Sequence, residues 1–445
     1  MRIIIIGAGP AGLIFAHCLT RAGIDDFIIL ERRREVVEEL GSGILLWPHT
    51  IRIFDQLGNG LLDAARKMEP SLLETVRLDA KGKLITRGSF WHRLKENHGH
   101  PAMVFQRYQL IQLLYEKLPG REKVLCNKRI KAINESSSEV EVVCSDGCSY
   151  KCDILVGADG VHSMVRQLLG TCERSPIPDP LNLPEGVRTT FRAVCGISPL
   201  IPGLPPRTQI DIMQKDTIWQ LLQSGDWVGW CFYRRLPQTT TKTSRFNDED
   251  ADEFVSQFQH QIMAEGSSVT FGDLWRSRKR AQVVDIEEGV LKEWHKGRVV
   301  LLGDATHKMS PNLGLGGNAA VESAVTLSNL LFSHVQNNGQ SDMASIEPIF
   351  SEYQKRRMKR TQDCTHISGN ILSFAWLAVY AIRFLCIFIP VEAVDRLLAD
   401  WVLNWVSRDG EILKFAQECQ HQSGRIAWRY PNTDETQRVF LTKTR

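Results

Sequence analysis

Three glycine-rich segments, far apart in a chain of 445 residues, carry the residue types that handle phosphate. They are Gly7-Ala8-Gly9-Pro10-Ala11-Gly12, Gly157-Ala158-Asp159-Gly160, and Gly303-Asp304-Ala305 with the run Pro311 to Asn318 behind it. Each follows an apolar, β-branched run and is glycine-rich or polar where such a strand would end. In the first segment Gly7 permits a tight turn, Gly9 lets the backbone approach a pyrophosphate, and Gly12 lets a helix pack on the strand. Glu31 lies about 20 residues past these glycines, where a carboxylate can accept hydrogen bonds from an adenosine ribose. A helix starting at this turn would add positive potential for the pyrophosphate. Three such segments in this order point to one large phosphate-bearing cofactor held across one sheet, and FAD fits best.

The elements that must position these residues follow from the flanking sequence. Arg2 to Ile6 is a short apolar run of the kind that forms a buried parallel strand. Leu13 to Ala22 reads as the helix, closed by Gly23, and Phe27 to Leu30 as the next strand, ending at Glu31. Around the second segment, Ile154 to Val156 reads as a strand and Ser163 to Leu169 as a helix. Around the third, the strand is Val299 to Leu302, and an alanine- and leucine-rich helix starts near Asn318. Its N-terminal amides could face an electron-rich flavin edge and stabilise negative charge there. Between about 176 and 284 no glycine fingerprint occurs. The pattern there is strand-like over Val187 to Ile197, Thr208 to Met213, Thr217 to Gln223 and Trp227 to Arg234, as a sheet roofing a substrate would require. Trp219, Trp227 and Trp230 read as core.

The fold class is therefore α/β: a Rossmann-like FAD-binding domain with a β-sheet substrate domain and a C-terminal helical, apolar tail. The expected boundaries are 1–175 and 285–360 for the two parts of the FAD-binding domain, 176–284 for the substrate domain and 361–445 for the tail. A chain of this length exceeds one core. The formal net charge of +3 is too small to argue for nucleic acid, and no basic run is interleaved with aromatics as a strand-binding groove requires. The clusters Arg32 to Arg34 and Lys355 to Arg360 read as solvated faces. Eleven cysteines occur without a CxxC pair, so buried or surface thiols in a reducing compartment are expected, and no metal site. The apolar N-terminus lacks the basic region and cleavage site of a secretory signal and reads as the first strand.

The order GxGxxG, then Gly-Ala-Asp-Gly, then Gly-Asp-Ala with a proline and a glycine-rich helix start resembles the class A flavoprotein monooxygenases, over roughly residues 1–170 and 285–360. The stretch Ile44 to Gly58, with Pro48 and Phe54-Asp55-Gln56-Leu57-Gly58, and the run His307 to Asn312 are similar to fungal enzymes that epoxidise a prenyl-chain double bond in meroterpenoid and indole-diterpene pathways. That resemblance implies FAD and NADPH as cofactors and O2 as oxidant, with NADPH reducing the flavin and O2 then supplying an electrophilic oxygen. It implies Gly7, Gly9 and Gly12 at the pyrophosphate, Glu31 at the ribose, Gly43 in a loop approaching the flavin and Arg107 on the cofactor chain. It associates Asp159 with both FAD and NADPH, places Asp304 at the ribityl or pyrophosphate region, and brings Gly317 and Asn318 to the isoalloxazine. Arg192 and Tyr233 resemble polar positions that some relatives place by the substrate; an exposed Arg and a sheet-surface Tyr is the alternative. Leu315 stands where Gln is frequent and Thr306 where a small apolar residue is common, which could reshape the site near the ring. Two rival readings stand beside epoxidation: hydroxylation of a phenol or aromatic acid, and a flavin-binding membrane protein without oxygenase activity.

Ile371 to Ile389 is apolar apart from Arg383, and Val391 to Val406 is amphipathic at helical spacing. Membrane-embedded or interfacial helices, a buried helical domain closing the substrate pocket and a dimer face all fit this tail. The expectations are a lipophilic small-molecule substrate, membrane association at the cytosolic face of the endoplasmic reticulum or a cytoplasmic location, and a terpene cyclase as the functional partner.

Overall fold

A computed structural model describes residues 1–170, 186–337, 342–420 and 422–431. The expected boundary at 175/176 and the end of the tail lie outside the described residues.

The strands ahead of the three glycine segments are neighbours in one sheet. Val299–Leu301, Ile154–Gly157, Ile3–Ile6 and Phe27–Leu30 run parallel and side by side, with Val124–Leu125 beyond the last and His295–Lys296 antiparallel at the other edge. Ile3, Ile4 and Ile5 are fully buried, as a strand covered on both faces requires. Because the strands are parallel, all three glycine turns open on the same edge of the sheet, where open α/β folds place ligands. Gly7 has φ +103°, and a Cβ there would meet the Ala158 carbonyl oxygen at 2.7 Å. A Cβ at Gly12 would collide with the Gly7 carbonyl oxygen. The helix that follows the turn runs Pro10–Arg21 and contains Gly12, with Pro10 in its first turn and no side-chain cap at Gly9. It packs against the helix Leu315–Gln336, which begins three residues before the expected start.

The second sheet has eight strands. Its centre is Arg188–Pro199, Trp227–Thr240, Thr217–Ser224 and Thr208–Met213, in that spatial order, close to the expected strands. It takes Arg280–Val290 and His307–Lys308 on one side. On the other it takes Glu74–Leu78 and Leu84–Gly88, which lie within the first expected FAD-binding part. Thr208–Met213 pairs with Glu74–Leu78 in parallel, a long-range contact that no local pattern announces. Trp219 and Trp230 are buried against one face of this sheet with Phe232 and Phe271, and Trp227, which points to the other face, is buried in a separate cluster with Trp47 and Trp91. One expectation on cysteines is corrected: Cys195 and Cys231, opposed on neighbouring strands, form a disulfide. They are 36 residues apart, so register brings them together where spacing gives no hint.

The C-terminal part is helical. The helix Met343–Leu385 bends by 75° between Phe374 and Trp376. Arg235 donates to the Ser373 carbonyl at 2.9 Å there, drawing an acceptor away from the helical ladder. Where the sequence gives one amphipathic helix, Val391 to Val406, the chain forms Val391–Leu397, a π turn over Leu398–Val402 and Asn404–Arg408. Residues 410–420 return to the helix Pro48–Leu57, where Gln56 donates to the carbonyls of Leu413 and Ala416. Among the described residues no single helix is long and apolar enough to cross a membrane.

These parts meet at Glu322, which is 2 % exposed on the helix Leu315–Gln336. It accepts from Arg357 at 2.5 Å and from Arg360 at 2.5 and 2.7 Å, and His49 Nε2 lies 3.2 Å away. Burial alone would raise its pKa, but Arg360 and Arg357 hold the carboxyl well below the usual range. Glu322→Gln should leave two arginines without a counter-charge and destabilise the protein by about 3–5 kcal/mol, read as a lower urea midpoint at unchanged slope. Burial also pushes His49 and His307 down to about 3 and His98 down to about 4, against an ordinary value of 6.5. The folded protein therefore keeps these rings neutral while the unfolded chain takes up protons below 6.5. Their contribution to stability is full above 6.5 and should decline as the pH falls toward 4, at up to about 1.4 kcal/mol per pH unit for each ring. A urea midpoint that stays flat between pH 6.5 and 4.5 would contradict this.

Candidate functional site

Two joined cavities lie along the open edge of the first sheet. The smaller, about 220 Å³, is lined by Gly7, Gly9, Glu31, Arg107, Asp159 and Asp304. The larger, about 1060 Å³, runs on beneath the second sheet past Gly43, Ile44, Pro311, Gly316 and Gly317. Arg107, Asp304 and Gly317 border both.

The residues of the smaller cavity have the chemistry of a dinucleotide cradle. The uncapped helix at Gly9 presents backbone N–H groups to an anion. Glu31 is buried at the end of its strand, and its carboxylate accepts from the Ala8 and Arg33 amides at 2.8 and 3.0 Å. Arg107 opens the helix Arg107–Lys117, and its guanidinium is 3.8 Å from where a Gly9 Cβ would be. Burial lowers the Arg107 pKa, and Asp304 and Glu31 act against that. Burial raises Asp304, with Arg107 and Lys308 opposing. One oxygen of Asp159 accepts from the Met164 and Val165 amides at 2.7 and 3.1 Å, capping the helix Met164–Gly170. Its other oxygen is buried without a partner. An uncapped glycine turn, a buried acid beside it, a cation over it and an orphaned carboxylate oxygen fit a bound dinucleotide.

The residues expected near the ring divide. Gly43 and Gly317 line the larger cavity. Asn318 does not. Its Oδ1 accepts from the Trp47 amide at 2.9 Å and the Thr50 hydroxyl at 2.6 Å, and its Nδ2 donates to the carbonyls of Leu45 and Gly314 at 2.8 and 2.6 Å. The side chain is thus fully used as a clamp between the strand Gly43–Leu46, the helix Pro48–Leu57 and the glycine-rich helix start.

The roof of the larger cavity is the second sheet, and strand alternation decides what faces down. Tyr233 pairs with Ala193, and both sit with Phe191, Ile218 and Ile286 on the cavity side. Tyr233 is fully buried and borders the cavity, its hydroxyl has no partner, and burial, reinforced by Asp211, raises its pKa. Arg192 is one residue from Ala193 and so points to the opposite face. There it donates to Asp285 at 2.8 Å and lies 4.3 Å over the Phe246 ring. The structure therefore does not bring the two expected catalytic residues together, because the period of two sends them apart.

Several residues that sequence reading missed lie on the cavity face. Arg77, Asp211, Gln220, Cys231 and Cys195 form one row across five strands in register. Gln220 donates to Asp211 at 3.2 Å and to the Asn312 carbonyl at 2.9 Å, joining the roof to the loop that carries Gly316 and Gly317. Gln209 holds both Asp211 oxygens, at 2.9 and 2.8 Å. Lys308 and Glu287 pair at the cavity wall. Alternation within the strands could have placed Gln220 and Tyr233 on one face, but only once the register was known.

The glycine turns on three adjacent parallel strands, with a sheet roofing the cavity beside them, define a flavin-binding oxygenase fold. The chain belongs to the FAD binding domain family, which it matches over residues 1–182 and 213–366. It is 32% identical over 411 residues to the FAD-dependent monooxygenase DEP2 of Fusarium langsethiae, covering 89% of this chain and 78% of that one. It is 34% identical over 375 residues to the FAD-dependent monooxygenase ausM of Penicillium brasilianum, covering 82% and 77%. Among solved structures, Klebsiella pneumoniae HpxO complexed with FAD and uric acid superposes with a TM-score of 0.70 at 23% identity, covering 91% of this chain and 97% of that one. The chain is an FAD-dependent monooxygenase, an oxidoreductase acting with O2, as the resemblance in its glycine segments implies.

Arg107→Ala and Asp304→Ala should each lower FAD retention at least about tenfold, since a charge-assisted hydrogen bond contributes about 1.5–3 kcal/mol. Arg34→Ala, on an exposed side chain, should leave retention unchanged. The ratio of flavin to protein absorbance after gel filtration reads the difference, and equal ratios in all three variants would contradict the assignment.

Proposed function

We propose that this chain is an NADPH-driven monooxygenase that epoxidises a double bond in the prenyl chain of a lipophilic, uncharged secondary metabolite. The observation that carries this reading is the neutral roof. Gln220, Leu222, Cys231, Tyr233, Val284 and Ile286 line the cavity from the sheet. Of the cations near it, Lys308 at the wall is paired with Glu287, Arg245 is exposed on a loop, and Arg192 is turned to the other face and paired with Asp285. A benzoate-type substrate would leave its carboxylate buried without a partner under such a roof, which is costly. A hydrocarbon chain costs nothing of the kind and gains by leaving water. This favours the epoxidase over hydroxylation of an aromatic acid. Similarity to fungal FAD-dependent monooxygenases supports the same reading, and NADPH as reductant rests on that similarity.

Gly7, Gly9, Glu31, Arg107, Asp159 and Asp304 would hold FAD, which supplies the two-electron reduction of O2 that the protein's own side chains cannot perform. Ile44, Leu45 and Leu222 exclude water from the larger cavity. The Tyr233 hydroxyl is the donor free to orient a polar group of the substrate. Gln220 fixes the distance between the roof and the loop Pro311–Leu313. Overall, one atom of O2 bridges the two alkene carbons and the other leaves as water, the electrons coming from NADPH. An epoxide on a prenyl chain is what a terpene cyclase opens by protonation, and such a cyclase is the partner this product implies.

Incubation of the FAD-loaded enzyme with NADPH, isotopically labelled O2 and a farnesylated aromatic substrate should place one labelled oxygen across an alkene. Label in a ring hydroxyl would establish the aromatic hydroxylase instead. NADPH consumption that does not respond to substrate would favour a flavin-binding protein without oxygenase activity on this class.

A further inference from the structure

The described residues expose few large apolar side chains, and those few are unevenly placed. Apart from Leu40, Met164, Leu200 and Val335, all of them fall between Phe374 and Val402. This stretch is the part of the long helix beyond its bend, the turn at Cys386–Pro390 and the short helices that follow. Exposure is greatest where the chain turns back and on the π turn: Ile387 is 70 % exposed, Phe388 71 % and Trp401 78 %. A contiguous exposed patch of this kind on an otherwise ordinary surface marks an interaction site.

The patch is held firmly. Asp395 accepts from the Ser89 amide at 2.5 Å, and Arg93 pairs with Asp400 at 2.6 Å. Leu372, just before the bend, packs with Tyr233 and Phe191 in the roof of the larger cavity. One helix therefore has its inner end at the cavity and its outer end in the apolar patch.

We propose that this patch docks on a lipid bilayer, lying in the headgroup–acyl boundary without crossing it. Three features favour a bilayer over a second protein. The most exposed side chains sit on two short segments, the turn Cys386–Pro390 and the π turn, where a protein partner would need a broad matching surface. Tyr380, Phe384, Phe388 and Trp401 are aromatic, and aromatic rings favour the membrane interface. Arg383 and Arg396 are exposed beside them, placed to meet anionic headgroups while the apolar side chains enter. The 75° bend breaks the apolar run, and among the described residues no single helix is long and apolar enough to span, which favours an in-plane arrangement over a crossing by the two bent halves together. The proposal deepens the reading of a lipophilic substrate by giving its source, the membrane against which the cavity's own helix rests.

Its test uses neither NADPH nor substrate, so its failure and the failure of the epoxidase reading are separable. The full-length FAD-loaded protein should co-sediment with phosphatidylcholine vesicles, and more strongly when they contain phosphatidylserine. The triple variant Phe384→Asp, Phe388→Asp, Trp401→Asp should bind at least tenfold more weakly with unchanged flavin content, which shows that it folds. Arg383→Ala with Arg396→Ala should remove the phosphatidylserine increment alone. In the wild type, brominated lipids should quench the tryptophan fluorescence that Trp401→Phe removes, and quench it more with bromine near the headgroup than near the chain end. Wild-type protein that stays in the supernatant with both vesicles would overturn the proposal. So would a dimer without lipid that the triple variant converts to monomer, which would assign the patch to a second copy. Quenching greatest at the bilayer centre would overturn the in-plane arrangement.

Discussion

Glu322 carries a buried negative charge at the point where the flavin-side helix, the helix Pro48–Leu57 and the long C-terminal helix converge. Taking a carboxylate out of water is expensive, and two guanidiniums with near-ideal geometry offset the cost. Arg360 also donates to the Val406 carbonyl at 2.8 Å, so the same cluster fixes the short helices after the bend. The orientation of the helix Leu315–Gln336 is therefore not set by apolar packing alone, which would tolerate sliding. A directional set of charge-assisted bonds gives it one register against its neighbours. The glycine-rich start of that helix, and with it Gly316 and Gly317, inherits its position from this distant pair of arginines. Asn318 completes the constraint from the other end by binding the end of the strand Gly43–Leu46 to the helix start.

The two sides of the cavity are electrostatically unlike. The cofactor side holds Arg107, Asp304, Glu31 and the pair Lys308–Glu287, while the sheet above presents neutral side chains at its centre. Asp211, a buried acid on the roof, is held by the Gln209 and Gln220 amides and faced by Arg77 beyond it, and burial raises its pKa. Charge is thus kept where a phosphate-bearing cofactor needs it and withheld from where a hydrocarbon would lie.

What could be read from sequence was whatever depends on local chemistry. The strand, turn and helix around Gly7, Gly9 and Gly12 are specified within about 30 residues, as in any βαβ unit of this kind. Glu31 lies on the cleft for the same reason, tied to the end of a short strand, whereas Arg107 was placed there by the family resemblance and not by its local sequence. What could not be read depends on register across strands distant in sequence. Tyr233 and Arg192 are both polar residues on strands, but their opposite orientations follow from the pairing of Tyr233 with Ala193. The Cys195–Cys231 disulfide and the row from Arg77 to Gln220 follow from the same pairings. Asn318 was expected to meet the ring, yet four specific partners, three of them far away in sequence, determine that its side chain serves the scaffold. The apolar tail was legible in composition, while its bend depends on one arginine from another strand reaching the Ser373 carbonyl.

The parallel pairing of Thr208–Met213 with Glu74–Leu78 has a consequence for recombination. A sheet whose edge is supplied by a segment from within the first part of the nucleotide fold is not a cassette. Exchanging residues 186–290 with those of a relative would transplant five of the eight strands of the roof and leave its rim behind, with the foreign strand facing a native one across a ladder neither was selected to form. Chimeras that also carried 74–88 would keep that seam intact, and the natural unit of inheritance for substrate preference is therefore a discontinuous one.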